Sequence, residues 1–339
     1  MTSDIPLLEL KDISRRFTRY DGFFHRLARA AHVGQPVENL VALSGINLSV
    51  FKGETVGIVG ESGCGKTTLG RIVVQLLNPS SGKVLFQGKN IVGMPEAEAR
   101  QARLKLQMVF QNPHATLNPR RRIGDTIIEG ALAHGLVSRK DTQEATAAAM
   151  MRVGLQPDLA NRFPHALSGG QRQRVGIARA LAVEPECVVF DEAVAALDVS
   201  IQAQILNLLV NLRKDTSFTS VFISHDLNVV RYISDRVVIL YLGQVVEVAP
   251  TRRLFQRPHH PYSRALLAEA PKLDPRKREF QTIKGELPSP LNPPAGCQFH
   301  PRCPLAMDIC KRAAPPIRSL DKDHLVACHL DDGAAQEAA

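Results

Sequence analysis

The chain has 339 residues, 44% of them hydrophobic and 22% charged, which is typical of a globular protein with room for about two domains of ~150 residues each. No apolar run reaches about 18 residues and the amino terminus does not look like a signal peptide, so we expect a cytosolic chain without a membrane span, unless a partner holds it elsewhere. The formal net charge of +9 suits anionic lipid headgroups, nucleic acid or nucleotides, but the absence of Trp argues against an aromatic platform for single-stranded nucleic acid.

The first predicted elements are strands. Residues 7–17 alternate enough to form an opening strand, and residues 41–50 are strand-forming. Residues 20–38 lack periodicity and are predicted to be a loop inserted between the two strands, which would then form an antiparallel edge. Residues 82–86, followed by Gly88, predict a further edge strand.

A glycine-rich loop lies between an apolar run at residues 55–59 and an amphipathic run at residues 69–77. Here a strand must stop, turn on glycines and enter a helix whose first N–H groups have no partner, so these donors point at an anion. Lys66 can reach the β- and γ-phosphates of a nucleotide, and the Thr67 hydroxyl is suited to coordinate Mg²⁺. The loop residues expected to cradle a triphosphate are Gly60, Ser62, Gly63, Gly65, Lys66, Thr67 and Thr68. Cys64 belongs to the same loop, and we expect its side chain to be a packing residue, like that of Cys187.

Helices dominate the middle of the chain. Residues 141–153 are rich in Ala and favour a helix. A second helix is predicted over residues 172–182, opened by a serine and two glycines that would make a second anion site. The residues of this opening are Leu167, Ser168, Gly169, Gly170 and Gln171. Ser200 is predicted to cap a later helix with one apolar face.

Two apolar runs in the second half predict buried parallel strands. Residues 187–190 end at Asp191 and Glu192, and residues 220–223 lead to His225. Catalytic groups and ligands gather at the carboxyl ends of such strands, where a carboxylate such as Asp191 can hold Mg²⁺ through water. The alternation of strands and helices predicts an α/β fold with a parallel sheet.

From Pro250 onwards prolines crowd the chain, which marks a boundary and a tail without long helices. Four cysteines lie in this tail with 5, 6 and 17 residues between them: Cys297, Cys303, Cys310 and Cys328. Thiolates suit Zn²⁺ or an iron–sulfur cluster, although structural zinc sites normally use more closely spaced pairs. Free thiols in a small folded tail are the other alternative.

Taken together, these motifs resemble the nucleotide-binding subunit of an ATP-binding cassette (ABC) transporter, and the stretch at residues 167–171 makes the resemblance specific. It implies an ABC-type P-loop nucleotide-binding domain over residues 1–250, with a RecA-like parallel sheet core, an antiparallel β edge and a helical subdomain at about residues 106–182. Two stretches, residues 258–267 and 285–297, look like the carboxy-terminal extension of dipeptide and oligopeptide importer ATPases. The small Cys-containing C-terminal extension would then cover residues 251–339.

The resemblance also implies roles for single residues. Glu192 is the general base that polarises the attacking water, and His225 contacts the γ-phosphate and positions Glu192. Gln111 matches the glutamine loop that senses Mg²⁺ and the permease. For each of these the ordinary alternative is a surface or structural side chain. Phe17 is the candidate for stacking on adenine, with Tyr20 second and a core Phe as the alternative.

In the family, the residues equivalent to Ser168, Gly169, Gly170 and Gln171 bind the nucleotide of a neighbouring subunit, because two subunits stack head to tail. Asp198 matches the loop that crosses this interface. The chain departs from the family pattern at Ala193, where proline is usual, and at Ala195, where serine is common. The missing hydroxyl is a reason to expect slower or uncoupled hydrolysis, but the metal, base and histidine positions are intact and predict an active ATPase.

The expected cofactors are ATP, Mg²⁺ and, by resemblance to family members with this extension, a 4Fe-4S cluster on the four cysteines. The expected function is an ATPase at the cytoplasmic face of the inner membrane that powers import of dipeptides or oligopeptides. Its partners would be a second, non-identical ATPase subunit, two transmembrane permease subunits and, indirectly, a peptide-binding protein. Nickel or a related solute is an alternative cargo.

Two other functions are weighed against import. A soluble ABC protein acting on nucleic acid or ribosomes would suit the basic charge, but such proteins carry two cassettes or a long coiled coil, and this chain has one phosphate loop and no extended heptads. We therefore expect no nucleic acid partner. A P-loop kinase or GTPase would lack the signature at residues 167–171 and His225.

Overall fold

The computed structural model describes residues 5–18, 39–112, 116–216, 218–269, 285–321 and 323–330. The predicted loop at residues 20–38, with Tyr20, lies outside these ranges. The described chain contains two sheets. Within the described ranges, no helix combines the length and the apolar character needed to cross a bilayer.

A four-stranded antiparallel sheet has the order β2-β1-β4-β5. Its strands are β1 (Leu8–Thr18), β2 (Asn39–Val50), β4 (Ser81–Phe86) and β5 (Lys89–Asn90). The predicted antiparallel pairing of the first two strands is confirmed. The prediction that residues 82–86 form an edge strand is wrong, because β4 pairs with β1 on one side and β5 on the other. Gln87 and Gly88 both have positive φ, 50° and 78°, so the chain reverses in two residues and β5 covers that edge.

An eight-stranded mixed sheet has the order β11-β12-β10-β9-β3-β8-β7-β6. The five strands from β9 to β6 in this order are parallel, as predicted for the core, and the pairs β9–β10, β10–β12 and β12–β11 are antiparallel. The strands are β3 (Thr55–Val59), β6 (Leu106–Val109), β7 (Cys187–Asp191), β8 (Thr219–Ile223), β9 (Arg236–Tyr241), β10 (Gln244–Pro250), β11 (Arg318–Asp321) and β12 (His324–Val326).

Helices cover both faces of the large sheet. They are α1 (Lys66–Val73), α2 (Glu96–Lys105), α3 (Ile123–Ala133), α4 (Thr142–Arg152), α5 (Gly169–Leu181), α6 (Val199–Thr216), α7 (Leu227–Ile233), α8 (Thr251–Gln256), α9 (Pro261–Glu269) and α10 (Asp308–Arg312). The last three, in the tail, are short, as the prolines predicted. Ser200 is not the cap of α6, because the helix begins at Val199 and the Ile201 N–H and the Ser200 hydroxyl both donate to Asp198 Oδ1.

The core consists of two apolar clusters, one on each face of the large sheet. Successive residues of the parallel strands alternate between them: Val188 and Phe190 of β7 lie in the cluster with α3 and α5, whereas Cys187 and Val189 lie in the cluster with α1 and the antiparallel sheet. A strand buried on both faces must be apolar throughout, which explains the continuous runs in the sequence. Cys64 and Cys187 are buried core residues, as predicted.

Candidate functional site

The phosphate loop lies between β3 and α1, at the carboxyl edge of the parallel strands. Gly65, which precedes α1, has φ +104°, and a Cβ at this position would lie 2.5 Å from the Ala42 carbonyl oxygen, so only glycine fits. Lys66 is only 5% exposed, and its Nζ donates to the carbonyl oxygens of Gly60 at 2.7 Å and Glu61 at 3.0 Å. The ammonium group therefore lies against the loop and beside its amides, where it can share an anion with them.

Two oxygen ligands meet beside the loop. Thr67 Oγ1 donates a hydrogen bond of 2.9 Å to Asp191 Oδ1 at the end of β7. Burial raises the pKa of Asp191, while the Thr67 hydroxyl and the nearby Lys66 act in the opposite direction. A hydroxyl and a carboxylate at this distance are the kind of donors that Mg²⁺ prefers, so the residues present fit the predicted Mg²⁺ site.

Three strand ends converge on the Glu192 carboxylate. Gln111, two residues beyond β6, donates from Nε2 to Glu192 Oε2 at 2.7 Å, and His225 Nδ1 lies 3.3 Å from Glu192 Oε1. Because β6, β7 and β8 are parallel neighbours, their carboxyl ends bring these side chains together. Glu192 has φ +47°, an uncommon conformation for a residue with a side chain, and its N–H is held by the Ile223 carbonyl oxygen at 2.9 Å. An uncommon backbone conformation thus presents the carboxylate to the site.

The residues after Glu192 form a turn, with alanine at both positions that depart from the family pattern. Ala193 is buried and Ala195 is exposed, and the Ala195 N–H donates to the Glu192 carbonyl oxygen at 3.0 Å. The backbone that presents Glu192 is therefore closed by a hydrogen bond with alanine at both positions.

The signature residues lie at the start of α5. Ser168 and Gln171 form a capping box: Ser168 Oγ accepts from the Gln171 N–H at 3.2 Å, and Gln171 Oε1 accepts from the Ser168 N–H at 3.0 Å. Among the described residues, none of these hydrogen bonds reaches the phosphate loop. Ser168 is exposed, with Gly169 and Gly170 in the first turn behind it. The structure therefore does not bring the signature into the same site as Lys66.

Asp198 is exposed at the start of α6. Hydrogen bonds from the Ile201 N–H and the Ser200 hydroxyl lower its pKa, so the carboxylate is ionised at neutral pH. It does not join the Glu192 cluster.

Phe17, the candidate adenine platform, is half-buried on β1. The guanidinium carbon of Arg15 lies 4.6 Å from the centre of its ring. This contact occupies one face of the ring, and stacking on adenine stays a prediction.

The four tail cysteines are free thiols on neighbouring segments. The Cys297 N–H donates to the Cys310 carbonyl oxygen at 2.8 Å, and His329, next to Cys328, has Nε2 3.0 Å from the Ala313 carbonyl oxygen. Burial raises the pKa of Cys297, and the nearby thiols of Cys310 and Cys303 add to the increase. Their chemistry suits a soft metal, but within the described ranges no three His, Cys, Asp or Glu side chains are grouped so as to hold a metal ion. The arrangement of these side chains therefore does not fit a bound cluster as it stands.

Three residues around the phosphate loop carried no sequence signal that could have identified them: Glu61, Tyr262 and Arg302. Glu61 occupies a variable position of the loop motif, and Arg302 is 241 residues away in the chain yet donates to its carboxylate. Only the folded arrangement brings them together.

Comparison with known proteins agrees with this geometry. Residues 43–195 match the family model for ABC transporters, and residues 246–310 match the model for the C-terminal region of oligopeptide/dipeptide transporters. The chain is 47% identical over 328 residues to the oligopeptide transport ATP-binding protein AppF of Bacillus subtilis, covering 96% of this chain and 97% of the relative. It is 44% identical over 326 residues to the oligopeptide transport ATP-binding protein OppF of Salmonella typhimurium, covering 95% of each.

Solved structures give the same result for the fold. The protein cbiO1 of Clostridium perfringens, part of the ABC transporter complex cbiONQ, superposes with a TM-score of 0.62 at 27% identity over 75% of this chain and 92% of that one. A dimeric ATP-binding cassette, MJ0796, in a post-hydrolysis state with ADP and Pi, superposes with a TM-score of 0.60 at 28% identity over 72% of this chain and 99% of that one.

Proposed function

The chain belongs to the ATP-binding subunits of ABC transporters, in their oligopeptide and dipeptide branch, and from this we propose that it hydrolyses ATP to power the import of peptides through a membrane permease. The observation that carries the proposal is the meeting of the phosphate loop with three polar strand ends. Thr67 contacts Asp191 at 2.9 Å, and Glu192 lies within 2.7 Å of Gln111 and 3.3 Å of His225. One edge of the parallel sheet thus combines an anion cradle, a metal-binding pair and a held carboxylate.

Each side chain has a task that its position allows. Lys66 and the loop amides bind the β- and γ-phosphates of ATP, and Thr67 and Asp191 hold Mg²⁺, which neutralises charge on the phosphate oxygens when bound. Glu192 accepts a proton from the attacking water at its carboxylate. Gln111 orients that carboxylate through a hydrogen bond to Oε2, and His225 does so through its contact with Oε1.

We also propose that a second, non-identical ATPase subunit completes the site. The exposed start of α5, with Ser168 and Gln171, is free to approach the phosphates bound by the second subunit, and Asp198 would lie at the same interface. The dimeric form of the similar cassette MJ0796 supports this arrangement. The pair would sit on two permease subunits at the cytoplasmic face of the inner membrane, receiving peptide from a separate binding protein.

Uptake of labelled peptide tests the proposed cargo. Cells that lack the chain should lose uptake of labelled dipeptides or oligopeptides and regain it with the wild-type chain but not with Lys66→Ala, which removes the charge that binds phosphate. Nickel uptake, measured in the same cells, distinguishes the alternative cargo. Loss of nickel uptake with normal peptide uptake would contradict peptide import.

For the tail we propose that the four cysteines bind a 4Fe-4S cluster after their side chains rearrange. The thiols of Cys303 and Cys310 lie close enough to Cys297 to raise its pKa, and this proximity supports the proposal. The side chains would have to move to bind a cluster, because within the described ranges they are not grouped so as to hold a metal ion. Anaerobic purification followed by visible absorbance spectra and iron, sulfide and zinc analysis decides among a cluster, zinc and free thiols. Folded protein free of iron would contradict the cluster.

A further inference from the structure

Two residues of the C-terminal extension, Tyr262 and Arg302, hydrogen-bond to Glu61 of the phosphate loop. The Tyr262 hydroxyl, on α9, accepts a hydrogen bond from the Glu61 N–H at 2.9 Å. Arg302 donates to both carboxylate oxygens of Glu61, from Nη1 at 2.7 Å and from Nη2 at 3.0 Å. A paired contact of this kind fixes orientation as well as charge.

The side chains of Arg302 and Tyr262 are themselves buried. The side chain of Arg302 is only 6% exposed, against 25% for that of Glu61. Tyr262 is fully buried, with its ring 4.7 Å from that of Tyr241 and 5.4 Å from that of Phe299, measured between ring centres. A buried aromatic cluster therefore anchors the hydroxyl that contacts the loop, and motion of the loop at Glu61 would break the hydrogen bond to it.

Glu61, which Tyr262 and Arg302 contact, also hydrogen-bonds to the phosphate-binding lysine, Lys66. The Glu61 carbonyl oxygen accepts from Lys66 Nζ at 3.0 Å, so Tyr262 holds the N–H of Glu61 and Lys66 holds its carbonyl. Arg302 also neutralises a carboxylate that would otherwise place an unpaired negative charge beside a triphosphate. Both effects favour phosphate binding, the first by ordering the loop in advance and the second by removing repulsion.

We propose that Arg302 and Tyr262 are positioning residues of the nucleotide site, through which the C-terminal extension holds the phosphate loop in its anion-binding form. The inference rests on the proposed function, because it presumes that the loop binds ATP. It joins two parts of the chain that match separate family models, residues 43–195 and residues 246–310. The extension thereby sets the affinity for ATP in addition to any role of its cysteines.

The test compares Arg302→Met with a matched control, Arg253→Met. Arg253 also forms an ion pair, with Asp321 on β11, but both residues lie in the tail, and three strands separate β11 from β3 in the large sheet. Arg302→Met should raise the KM for ATP and the Kd of a non-hydrolysable ATP analogue about tenfold with kcat changed less than about twofold, because the loop is loosened and Glu61 is left charged. Arg253→Met should leave both constants unchanged.

A second variant separates positioning from the effect of the unpaired charge. Glu61→Gln combined with Arg302→Met removes the charge but leaves the loop without its clamp, so its Kd should stay at least about threefold above the wild-type value, with kcat within about twofold of wild type as the sign of an intact fold. A single Arg302→Met variant that binds ATP like Arg253→Met would overturn the inference, and so would a double variant that binds ATP as tightly as the wild type. If the wild-type chain does not bind the analogue, the proposed function itself fails, so the two failures are distinguishable.

Discussion

Asp191 and Glu192 are consecutive carboxylates with different surroundings and therefore different tasks. Asp191 is buried and accepts from the Thr67 hydroxyl, whereas Glu192 is only partly buried and is held by Gln111 and His225. Glu192 itself has a left-handed backbone conformation, and its side chain contacts partners different from those of Asp191. One carboxylate can therefore serve the metal while the other takes a proton.

Thr67→Ala should raise the Mg²⁺ concentration needed for half-maximal ATP hydrolysis by about tenfold, because it removes one oxygen ligand and the hydrogen bond to Asp191. Thr67→Ser keeps the hydroxyl and is the matched control, expected to behave like the wild type. The measurement is phosphate release during a Mg²⁺ titration. An unchanged Mg²⁺ requirement in Thr67→Ala would remove Thr67 from the metal site.

The chemistry of these residues could be predicted from the sequence because each signal is local. The spacing of Gly60, Gly65, Lys66 and Thr67 specifies a strand, a tight turn and a helix within ten residues or so. Glu61 could not be assigned in the same way, because its partners Tyr262 and Arg302 lie more than 200 residues downstream. No periodicity or spacing connects residues so far apart.

The signature residues at the start of α5 have a structural role within the helix itself. The capping box of Ser168 and Gln171 satisfies two N–H groups that the helix leaves without partners, so the signature motif also stabilises the helix that carries it. The same residues are proposed to bind the nucleotide of a second subunit. A substitution there can therefore act on stability, on hydrolysis or on both.

Ser168→Ala should lower the free energy of unfolding by about 1 kcal/mol, the usual effect of losing a serine cap, whereas Ser168→Thr should cost less because it keeps the acceptor. Urea denaturation of the isolated chain measures this without any contribution from a partner. Equal stability of Ser168→Ala and the wild type would show that the cap observed here does not stabilise the helix.

Two predictions about single elements are wrong, and residue propensities could not have corrected them. The pattern of residues 82–86 predicts an edge strand, but the reversal at Gln87 and Gly88 adds β5 outside them, and a two-residue strand has no pattern to recognise. Ser200 has the chemistry of a helix cap, yet Asp198 does the capping. Both residue types favour caps, so only the actual hydrogen bonds decide between neighbours.

At the scale of the whole molecule, the tail and the body share a sheet and a buried charge. β12 pairs with β10, and Glu247 of β10 is fully buried. Its carboxylate accepts from the N–H groups of His259 and His260, and one of its oxygens lies 2.8 Å from His324 Nε2. Burial alone would raise the pKa of Glu247, but these hydrogen bonds outweigh it and lower the pKa. The division of the chain near residue 250 stays a prediction, because β10 and β12 hydrogen-bond across it.

His260 should make the fold sensitive to acid. Burial lowers the pKa of His260 to about 4, Glu247 acts in the opposite direction and Arg264 in the same one. As pH falls from about 6.5 to about 4, the unfolded chain takes up a proton that the folded chain refuses, so roughly 3 kcal/mol of stability is lost. Above pH 6.5 the effect vanishes.

The comparison is His260→Asn, whose side-chain carbonyl can accept the hydrogen bond that His260 Nδ1 accepts from the Tyr262 N–H. The unfolding free energy of this variant should fall less than that of the wild type between pH 6.5 and pH 4. His134→Asn, at an exposed position, should follow the wild-type curve. A variant curve parallel to the wild type would mean that His260 does not govern the acid sensitivity.

We propose that one carboxylate, Glu192, drives ATP hydrolysis in a site otherwise devoted to binding. The most direct measurement is phosphate release by Glu192→Gln, made beside ATP binding and beside Glu144→Gln, a substitution of an exposed glutamate on α4. Glu192→Gln should bind ATP within about threefold of the wild-type affinity and hydrolyse it at least about 100-fold more slowly, while Glu144→Gln hydrolyses it normally. Hydrolysis by Glu192→Gln at the wild-type rate would contradict the account.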